Sequence, residues 1–243
     1  MDAVPGDGDA VVLKPPSKAL WAAEVPRAAW MVATWWRHRA RLAAAPRGDG
    51  GAVMLLPGLF NSDRSNFAMR GYLQRLGYVC VGWGFGRNLG ARTVGADAGT
   101  LIARVEALAA AHGPVTLVGV SLGGIIARLV AVRRPDLVRA VVTVASPYAG
   151  SARATNVWRA FEWVTGERLD DAAVIARSAE LAGALPVPAT AIWSASDGLV
   201  AGAICHEPSA RCIQVRSSHL GVQLRPQVLR AVADALAGQS RAT

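Results

Sequence analysis

Lysine and cysteine are both scarce in this sequence, and each scarcity narrows the classes of protein it can be. Lys14 and Lys18 are the only lysines, so the formal net charge of +9 comes almost entirely from arginines spread along the chain. These arginines form no RNA- or DNA-binding motif, and we therefore expect no nucleic-acid partner. The three cysteines are too few for a disulfide scaffold and indicate a reducing compartment. Cys205 and Cys212 are close in sequence, so one disulfide bond between them stays open as an alternative to free thiols.

Long hydrophobic runs and a leader pattern are missing as well. The sequence has no stretch of about 18 uninterrupted apolar residues, which argues against a membrane-spanning helix. Asp2, Asp7 and Asp9 occupy the N-terminal region where a secretory signal would need basic residues, and no apolar segment follows them. The sequence therefore predicts a cytoplasmic protein.

The composition is that of a folded chain with one domain of ordinary size. Hydrophobic residues make up 52% and charged residues 18% of the 243 residues. We expect a disordered tail over residues 1–16, an N-terminal helix over residues 17–45 that is bent near Pro26, and an α/β domain over residues 46–243. Half of the tryptophans lie in that helix among arginines: Trp21, Trp30, Trp35 and Trp36. We expect the helix to pack on the flank of the domain, with peripheral contact at the inner membrane surface as the alternative.

From residue 52 onward, short apolar runs alternate with longer helical segments. Strands are predicted over residues 52–56, 78–82, 115–120, 138–145, 189–194 and 211–216. Helices are predicted over residues 65–76, 94–111, 122–134 and 226–237, the first with Ser62 or Asp63 as its N-cap. The alternation predicts an α/β fold, a mostly parallel sheet of about six strands with helices on both faces. In such a sheet the carboxyl ends of the strands share one edge, where functional sites form.

Residues 150–186 interrupt the alternation, because they separate the fourth and fifth strands by more than a usual crossover. Apolar side chains run through this segment, among them Trp158 and Phe161. We therefore expect a small helical cap that lies over the sheet edge.

Ser121 lies between a predicted strand and a predicted helix, in the glycine-rich run 119–124 (GVSLGG). A strand-to-helix elbow is so tight that the positions two before and two after the serine must be very small, and here they are Gly119 and Gly123. The elbow exposes the hydroxyl at the sheet edge and lets the N–H of Leu122 donate to a developing oxyanion. The short pattern alone is common by chance. The strand before it and the helix after it make Ser121 a candidate nucleophile.

A serine nucleophile needs a neighbouring base to take its proton, and the chain has four histidines. His219 directly follows the last predicted strand, at the same sheet edge as Ser121, and is the candidate base, with His206 as the substitute. Asp197 follows the fifth predicted strand and is the candidate acid that orients the imidazole. The rival acids are Asp170, Asp171 and Glu207. The order serine, acid, histidine along the chain is the one expected with an elbow of this kind.

These motifs resemble the lipase-like branch of the α/β-hydrolases, in particular bacterial members with a tryptophan-bearing N-terminal helix. The resemblance runs from about residue 20 to the C-terminus. It rests on the elbow and on residues 56–59 (LPGL), 82–90 (GWGFGRNLG), 145–151 (ASPYAGS), 196–198 (SDG) and 218–221 (SHLG). Many relatives have His-Gly in place of Pro57-Gly58, and the residue after that glycine donates to the oxyanion, which implies Leu59 as the second donor. Tyr148 replaces the histidine of a Thr-Pro-His-x-Gly-Ser stretch in true lipases.

The resemblance implies a carboxylic-ester substrate and neither a metal nor an organic cofactor. The leading hypothesis is a carboxylesterase or lipase-like serine hydrolase that forms an acyl-enzyme. An acyltransferase or thioesterase with the same triad stays open, as does a non-catalytic protein of the same fold at a membrane surface. The apolar cap favours a hydrophobic ester, and the residues expected to line its pocket are Phe60, Tyr148, Trp158 and Phe161.

Overall fold

The computed structural model describes residues 13–239, apart from the side chains of residues 38, 39, 41 and 239. Most of the predicted disordered tail, 1–16, therefore lies outside the described residues. Within the described range, six parallel strands form one sheet in the order β2-β1-β3-β4-β5-β6. The strands are β1 (Ala52–Leu56), β2 (Val79–Gly82), β3 (Val115–Val120), β4 (Val138–Val144), β5 (Ala189–Trp193) and β6 (Arg211–Gln214). The predicted strands and fold class are confirmed.

Helices cover both faces of this sheet. They are α1 (Lys18–Ala22), α2 (Glu24–Thr34), α3 (Arg39–Ala43), α4 (Phe67–Leu76), α5 (Ala91–Val94), α6 (Gly99–His112), α7 (Leu122–Arg133), α8 (Trp158–Thr165), α9 (Ala172–Ala182) and α10 (Pro226–Gln239). Alternate residues of β1 point to opposite faces, so Val53 and Leu55 pack in the layer with α4 and α10. Met54 and Leu56 pack in the layer with α6 and α7. Both faces of the central strands β1 and β3 are buried, which explains why these strands are mostly apolar, whereas the edge strand β6 is largely exposed and carries Arg211 and Gln214.

The strand order determines where the site forms. The chain leaves β1 toward β2 on one side and returns to β3 on the other side of β1. The loops that follow β1 and β3 therefore turn away from each other and open a crevice at the carboxyl edge of the sheet. Residues 57–61 and Ser121 lie in these two loops, so the topology brings them together.

The N-terminal segment differs from the single helix that the sequence predicts. The break lies at Ala23, between α1 and α2, and not at Pro26. Pro26 is the third residue of α2, in the first turn, where its missing N–H would have no partner within the helix. A 3₁₀ turn over Trp35–His38 then leads into α3. The segment packs against the sheet domain through buried Met31 and Leu42, and Trp35 Nε1 donates to the Leu224 carbonyl at 2.9 Å.

The structure decides two further expectations, the N-cap of α4 and the disulfide. The predicted N-cap of α4 is wrong, because the helix begins at Phe67 and the Asp63 carboxylate accepts instead from the Trp83 and Gly84 N–H groups. Cys205 and Cys212 do not form the disulfide bond that the sequence left as an alternative, since both are free thiols. Residues 150–186, the cap segment, contain α8 and α9. None of the described helices combines the length and apolarity needed to cross a bilayer.

Candidate active site

Ser121 occupies a strained elbow between β3 and α7. Its backbone has φ 51° and ψ −120°, a region that residues with a side chain rarely adopt. A Cβ atom at Gly119 would lie 2.3 Å from the Gly123 carbonyl oxygen, and one at Gly123 would lie 2.4 Å from the Leu56 carbonyl oxygen. The turn therefore closes only with glycine at both positions, as the sequence pattern predicts.

The structure brings Ser121, His219 and Asp197 together, from the loops after β3, β6 and β5. The Ser121 hydroxyl lies 3.2 Å from His219 Nε2, and His219 Nδ1 lies 2.7 Å from Asp197 Oδ2. Asp197 Oδ1 accepts hydrogen bonds from the N–H groups of Leu199 and Val200, at 2.8 and 2.9 Å. Both oxygens of this buried carboxylate are thus occupied, which fixes the direction in which it meets the imidazole.

The charge state of His219 is set by opposing effects. Burial lowers its pKa, because a cation is poorly solvated inside the protein. The Asp197 carboxylate, through its charge and its hydrogen bond, and the more distant charge of Glu24 together raise the pKa above the usual value of 6.5. The site therefore stabilises an imidazolium, the species that forms when His219 accepts a proton.

The predicted oxyanion donors, Leu59 and Leu122, both line the same cavity as Ser121. Neither N–H group donates to an acceptor within the described part of the chain. A Cβ atom at Gly58 would lie 3.4 Å from the Ser121 Cβ, so the loop that carries Leu59 lies directly against the elbow. A tetrahedral oxyanion needs two such N–H donors next to the serine hydroxyl, and the assignment of Leu59 and Leu122 to this role stays a prediction.

Asn88 holds the Leu59 loop in place, and the sequence analysis missed its role. Its buried side chain donates from Nδ2 to the Pro57 carbonyl at 2.7 Å and accepts from the Gly90 N–H at 3.0 Å. Its backbone carbonyl accepts from the Phe60 N–H at 2.8 Å. The sequence signal for this role is an asparagine within the glycine-rich run after β2. Where a glycine-rich loop packs against another loop, the backbone groups of both loops need a polar side chain as hydrogen-bond partner.

An apolar cavity of about 130 Å³ lies beside Ser121. Tyr148, Trp158 and Phe161 line it, as predicted, together with residues of α7 and α9. Phe60 does not line it. Phe60 has a positive φ of 62° and is 44% exposed, and its ring centroid lies 6.5 Å from that of Trp163 in α8.

The alternative bases and acids are used elsewhere. His206 stacks on Trp193 with ring centroids 4.5 Å apart, and Asp170 pairs with Arg153 at 2.6 Å. Asp171 precedes α9, and the Glu207 carboxylate accepts from Ser209. Within the described range, none of these four side chains forms a hydrogen bond with Ser121 or His219.

Comparison with known proteins agrees with this architecture. The family model described as "Serine aminopeptidase, S33" matches residues 50–237. None of the curated proteins matches the chain. Among solved structures, a Bacillus licheniformis lipase in its mature form has a TM-score of 0.57 at 14% identity, over 79% of this chain and 94% of that chain. A thermostable carboxylesterase from a metagenomic library has a TM-score of 0.55 at 16% identity, over 78% and 82% of the two chains.

A thioesterase domain from the curacin biosynthetic pathway has a TM-score of 0.51 at 15% identity, over 79% of this chain and 93% of that chain. At these identities the likeness concerns the fold. The family match is broader evidence, because it covers most of the chain, from before β1 to within α10. The chain belongs to the serine aminopeptidase S33 family of α/β-hydrolases.

Proposed function

We propose that the protein is a serine hydrolase that cleaves carboxylic esters of the esterase or lipase type, with Ser121 as nucleophile, His219 as base and Asp197 as orienting acid. The observation that carries this proposal is the hydrogen-bonded chain from Asp197 through His219 to Ser121 at the mouth of an apolar cavity. A serine hydroxyl becomes nucleophilic when a positioned base accepts its proton, and this geometry supplies that base.

The reaction follows from the positions of these groups. His219 Nε2 takes the Ser121 proton as Oγ attacks the acyl carbon, and the carbonyl oxygen becomes an oxyanion held by the N–H groups of Leu59 and Leu122. The imidazolium gives its proton to the leaving alcohol, and an acyl-serine ester remains. Water then attacks this ester while His219 accepts the water proton. The acid is released and the proton returns to Ser121.

The cavity supports a hydrophobic acyl or alcohol group. Its walls are mainly aliphatic and aromatic, and its charged lining residues, Glu167 and Arg177, pair with each other. Burial of apolar substrate surface contributes about 25 cal/mol per Å² removed from water. A longer chain should therefore bind more tightly until the cavity is filled.

Hydrolysis of p-nitrophenyl esters of increasing acyl length tests the proposal and defines the pocket. Wild-type protein should turn over these esters, and kcat/KM should rise with chain length to a maximum. S121A should abolish turnover, whereas S65A, which removes a hydroxyl from the loop before α4, should leave it unchanged. An inactive wild type, or equal turnover by S121A, would contradict the proposal.

The same residues could pass the acyl group to another acceptor or accept it from a thioester. The likeness to a thioesterase domain makes thioesters the second substrate class to test. We expect acyl thioesters to be cleaved more slowly than the matching oxygen esters. We also expect free acid to be the main product when an alcohol is added. Predominant transfer to the alcohol would identify an acyltransferase instead.

The exposed side of α1, α2 and the 3₁₀ turn that follows supports a second proposal, contact with a lipid surface. Trp21, Val25, Trp30, Val32 and Trp36 on this face are between 52% and 69% exposed. The one acidic residue of segment 17–45, Glu24, is buried, so the exposed charges of this face are basic.

Co-sedimentation with vesicles tests this contact. Wild-type protein should sediment with anionic vesicles, and the double variant W30A/W36A should do so much less while keeping its activity on a short soluble ester. Neutral vesicles are the control for the charge contribution. Equal sedimentation of both proteins would contradict the contact. Vesicle binding by folded protein whose Ser121 does not react with a fluorophosphonate probe would favour a non-catalytic role.

A further inference from the structure

Glu24 in α2 is a buried charge outside the part of the chain that the family model matches, which begins at residue 50. It is only 2% exposed, although Val25 and Pro26, the next two residues of the helix, are exposed. A carboxylate removed from water costs free energy unless its oxygens are bonded to donors. The contacts of Glu24 therefore indicate what it stabilises.

The two carboxylate oxygens of Glu24 bind two separate loops of the site. Oε1 accepts from the Gly198 N–H at 2.8 Å, and Oε2 accepts from the Leu220 N–H at 2.7 Å. Each donor directly follows a member of the proposed triad, Asp197 in one loop and His219 in the other. One side chain thus spans the two loops whose separation sets the hydrogen bond between Asp197 and His219.

The helix backbone also presses against the same loops. A Cβ atom at Gly198 would lie 2.4 Å from the Leu20 carbonyl oxygen, so α1 leaves no space at that position. Arg27, one turn after Glu24, donates to the Ser196 carbonyl at 2.6 Å and to its hydroxyl at 2.9 Å. Arg225 donates to the Ser218 hydroxyl at 2.7 Å and to the Arg27 carbonyl at 3.2 Å. The N-terminal segment therefore bonds the residues on both sides of Asp197 and the residue after His219, and Arg225 links it to Ser218, the residue before His219.

We propose that Glu24 is a positioning residue for the ester hydrolysis proposed above: its carboxylate ties the Asp197 loop to the His219 loop and adds a negative charge that favours the imidazolium. The N-terminal helices are on this account part of the catalytic apparatus and not an appendage on its flank. Glu24 touches neither substrate nor the reacting atoms, so it acts through the two loops.

The charged groups around His219 determine how the loss of the Glu24 charge changes the pKa of the imidazole. Asp197 hydrogen-bonds the ring from the β5 loop, and Glu24 faces it from α2, while the cationic Arg27 and Arg225 flank Glu24 from α2 and the segment before α10. Both carboxylates raise the pKa of His219 against the effect of burial. Loss of the Glu24 charge therefore lowers that pKa. The acidic limb of the pH–rate profile should then move to lower pH, because His219 must be neutral to act as base.

The experiment compares wild type with E24Q, E24D and a matched control. E24Q keeps the shape but loses the charge and one acceptor, so kcat should fall about tenfold or more while KM changes less than about twofold. E24D keeps the charge but is one methylene shorter and cannot reach both N–H groups. Its kcat should fall, with an acidic limb nearer to wild type. D63N removes another carboxylate that accepts two backbone N–H groups, beside β2 at the opposite edge of the sheet, and should lower stability without moving the limb.

NMR titration of the His219 imidazole, assigned with H219Q, makes the test independent of turnover. A lower His219 pKa in E24Q supports the role of Glu24, even if the wild type proved inactive and the proposed function failed. An unchanged His219 pKa and an unchanged kcat, with only a lower melting temperature, would show a purely structural role and overturn the proposal. Should E24Q not fold, E24D decides: wild-type kcat in E24D would overturn the proposal.

Discussion

The loops after β1 and β3 and the loops after β5 and β6 supply two halves of the site that are held by different kinds of contact. The nucleophile half (residues 57–61 and 119–124) is held by close backbone approach at glycines and by Asn88. The base half (residues 194–200 and 217–221) is held by charged side chains, among them Glu24 and Arg225. Close backbone packing at Gly119 and Gly123 is the main constraint on the nucleophile half, and hydrogen bonds from charged side chains of distant segments are the main constraint on the base half.

This difference explains the strain at Ser121. A residue with positive φ persists only where its surroundings leave no alternative, and Gly119 and Gly123 allow the backbone to close so tightly that no alternative exists. The base half carries no such constraint at His219. Its geometry depends on ionic partners, so it should respond to pH and to charge substitutions more than the elbow does.

The largest expected effect is on the base half. H219A should lower kcat for ester hydrolysis by about 10⁴-fold or more, because the serine loses its proton acceptor. H206A is the matched control, since His206 stacks on Trp193 without a hydrogen bond to the site, and it should keep turnover within about twofold of wild type. Steady-state kinetics of the two purified variants measures this. Wild-type turnover by H219A would show that the base is misassigned.

Substitutions of the elbow glycines in the nucleophile half should act mainly by lowering the free energy of unfolding. In G123A the new methyl group would overlap the Leu56 and Pro57 carbonyl oxygens, and we expect the free energy of unfolding to fall by about 3 kcal/mol or more. G99A is the control, because a Cβ there meets no atom within 4 Å, and it should be neutral. Urea denaturation of both variants checks the comparison. An elbow that accepts alanine without loss would contradict the steric account.

Asn88 offers a milder way to loosen the nucleophile half. N88A removes the donor to the Pro57 carbonyl and should lower kcat about tenfold by releasing the Leu59 loop, less than the loss of a direct oxyanion donor. Q74A removes the same type of bond, from a side-chain amide to the Cys80 carbonyl, and should cost stability without changing kcat. If N88A had the same kcat as wild type, Asn88 would have no role in the reaction.

A change of pH is the smallest perturbation of the base half, and it sharpens the comparison between the two halves. Because the pKa of His219 is raised above 6.5, kcat/KM should fall with an apparent pKa above 6.5 as the pH is lowered. The stability that this raised pKa contributes is fully present below the pKa of the unfolded state and is lost as pH rises through the folded value. As the pH rises through the pKa of His219, kcat/KM should therefore increase while this contribution to the free energy of unfolding decreases. Unfolding of wild type and H219A at several pH values measures the second trend, and a difference that grows with pH would contradict it.

Much of the fold follows from the sequence, because short apolar runs and glycine-bounded turns encode the strands locally. Each predicted strand begins and ends within two residues of its observed bounds. Ser121, Asp197 and His219 were likewise placed by their position after strands. Their contact needed no further information than the shared carboxyl edge of a parallel sheet.

The remainder depends on contacts between distant residues. Asp63 suits a helix N-cap by its type, but the N–H groups of Trp83 and Gly84 compete for its carboxylate. Phe60 is apolar and directly follows Leu59, which lines the cavity, yet Phe60 itself packs beside Trp163 and does not line the cavity. Glu24 binds residues 174 and 196 positions away, and local pattern carries no sign of such partners. The available hint was a lone acidic residue in an arginine-rich helical segment.

Covalent labelling with a fluorophosphonate probe tests the central claim most directly. The probe reacts with a serine only where a base activates the hydroxyl and an oxyanion site receives the developing charge. We expect stoichiometric modification of wild-type protein at Ser121, located by peptide mass spectrometry, and loss of labelling in H219A. Folded wild-type protein that stays unlabelled, or that is labelled at another residue, would contradict the assignment of Ser121 as the nucleophile.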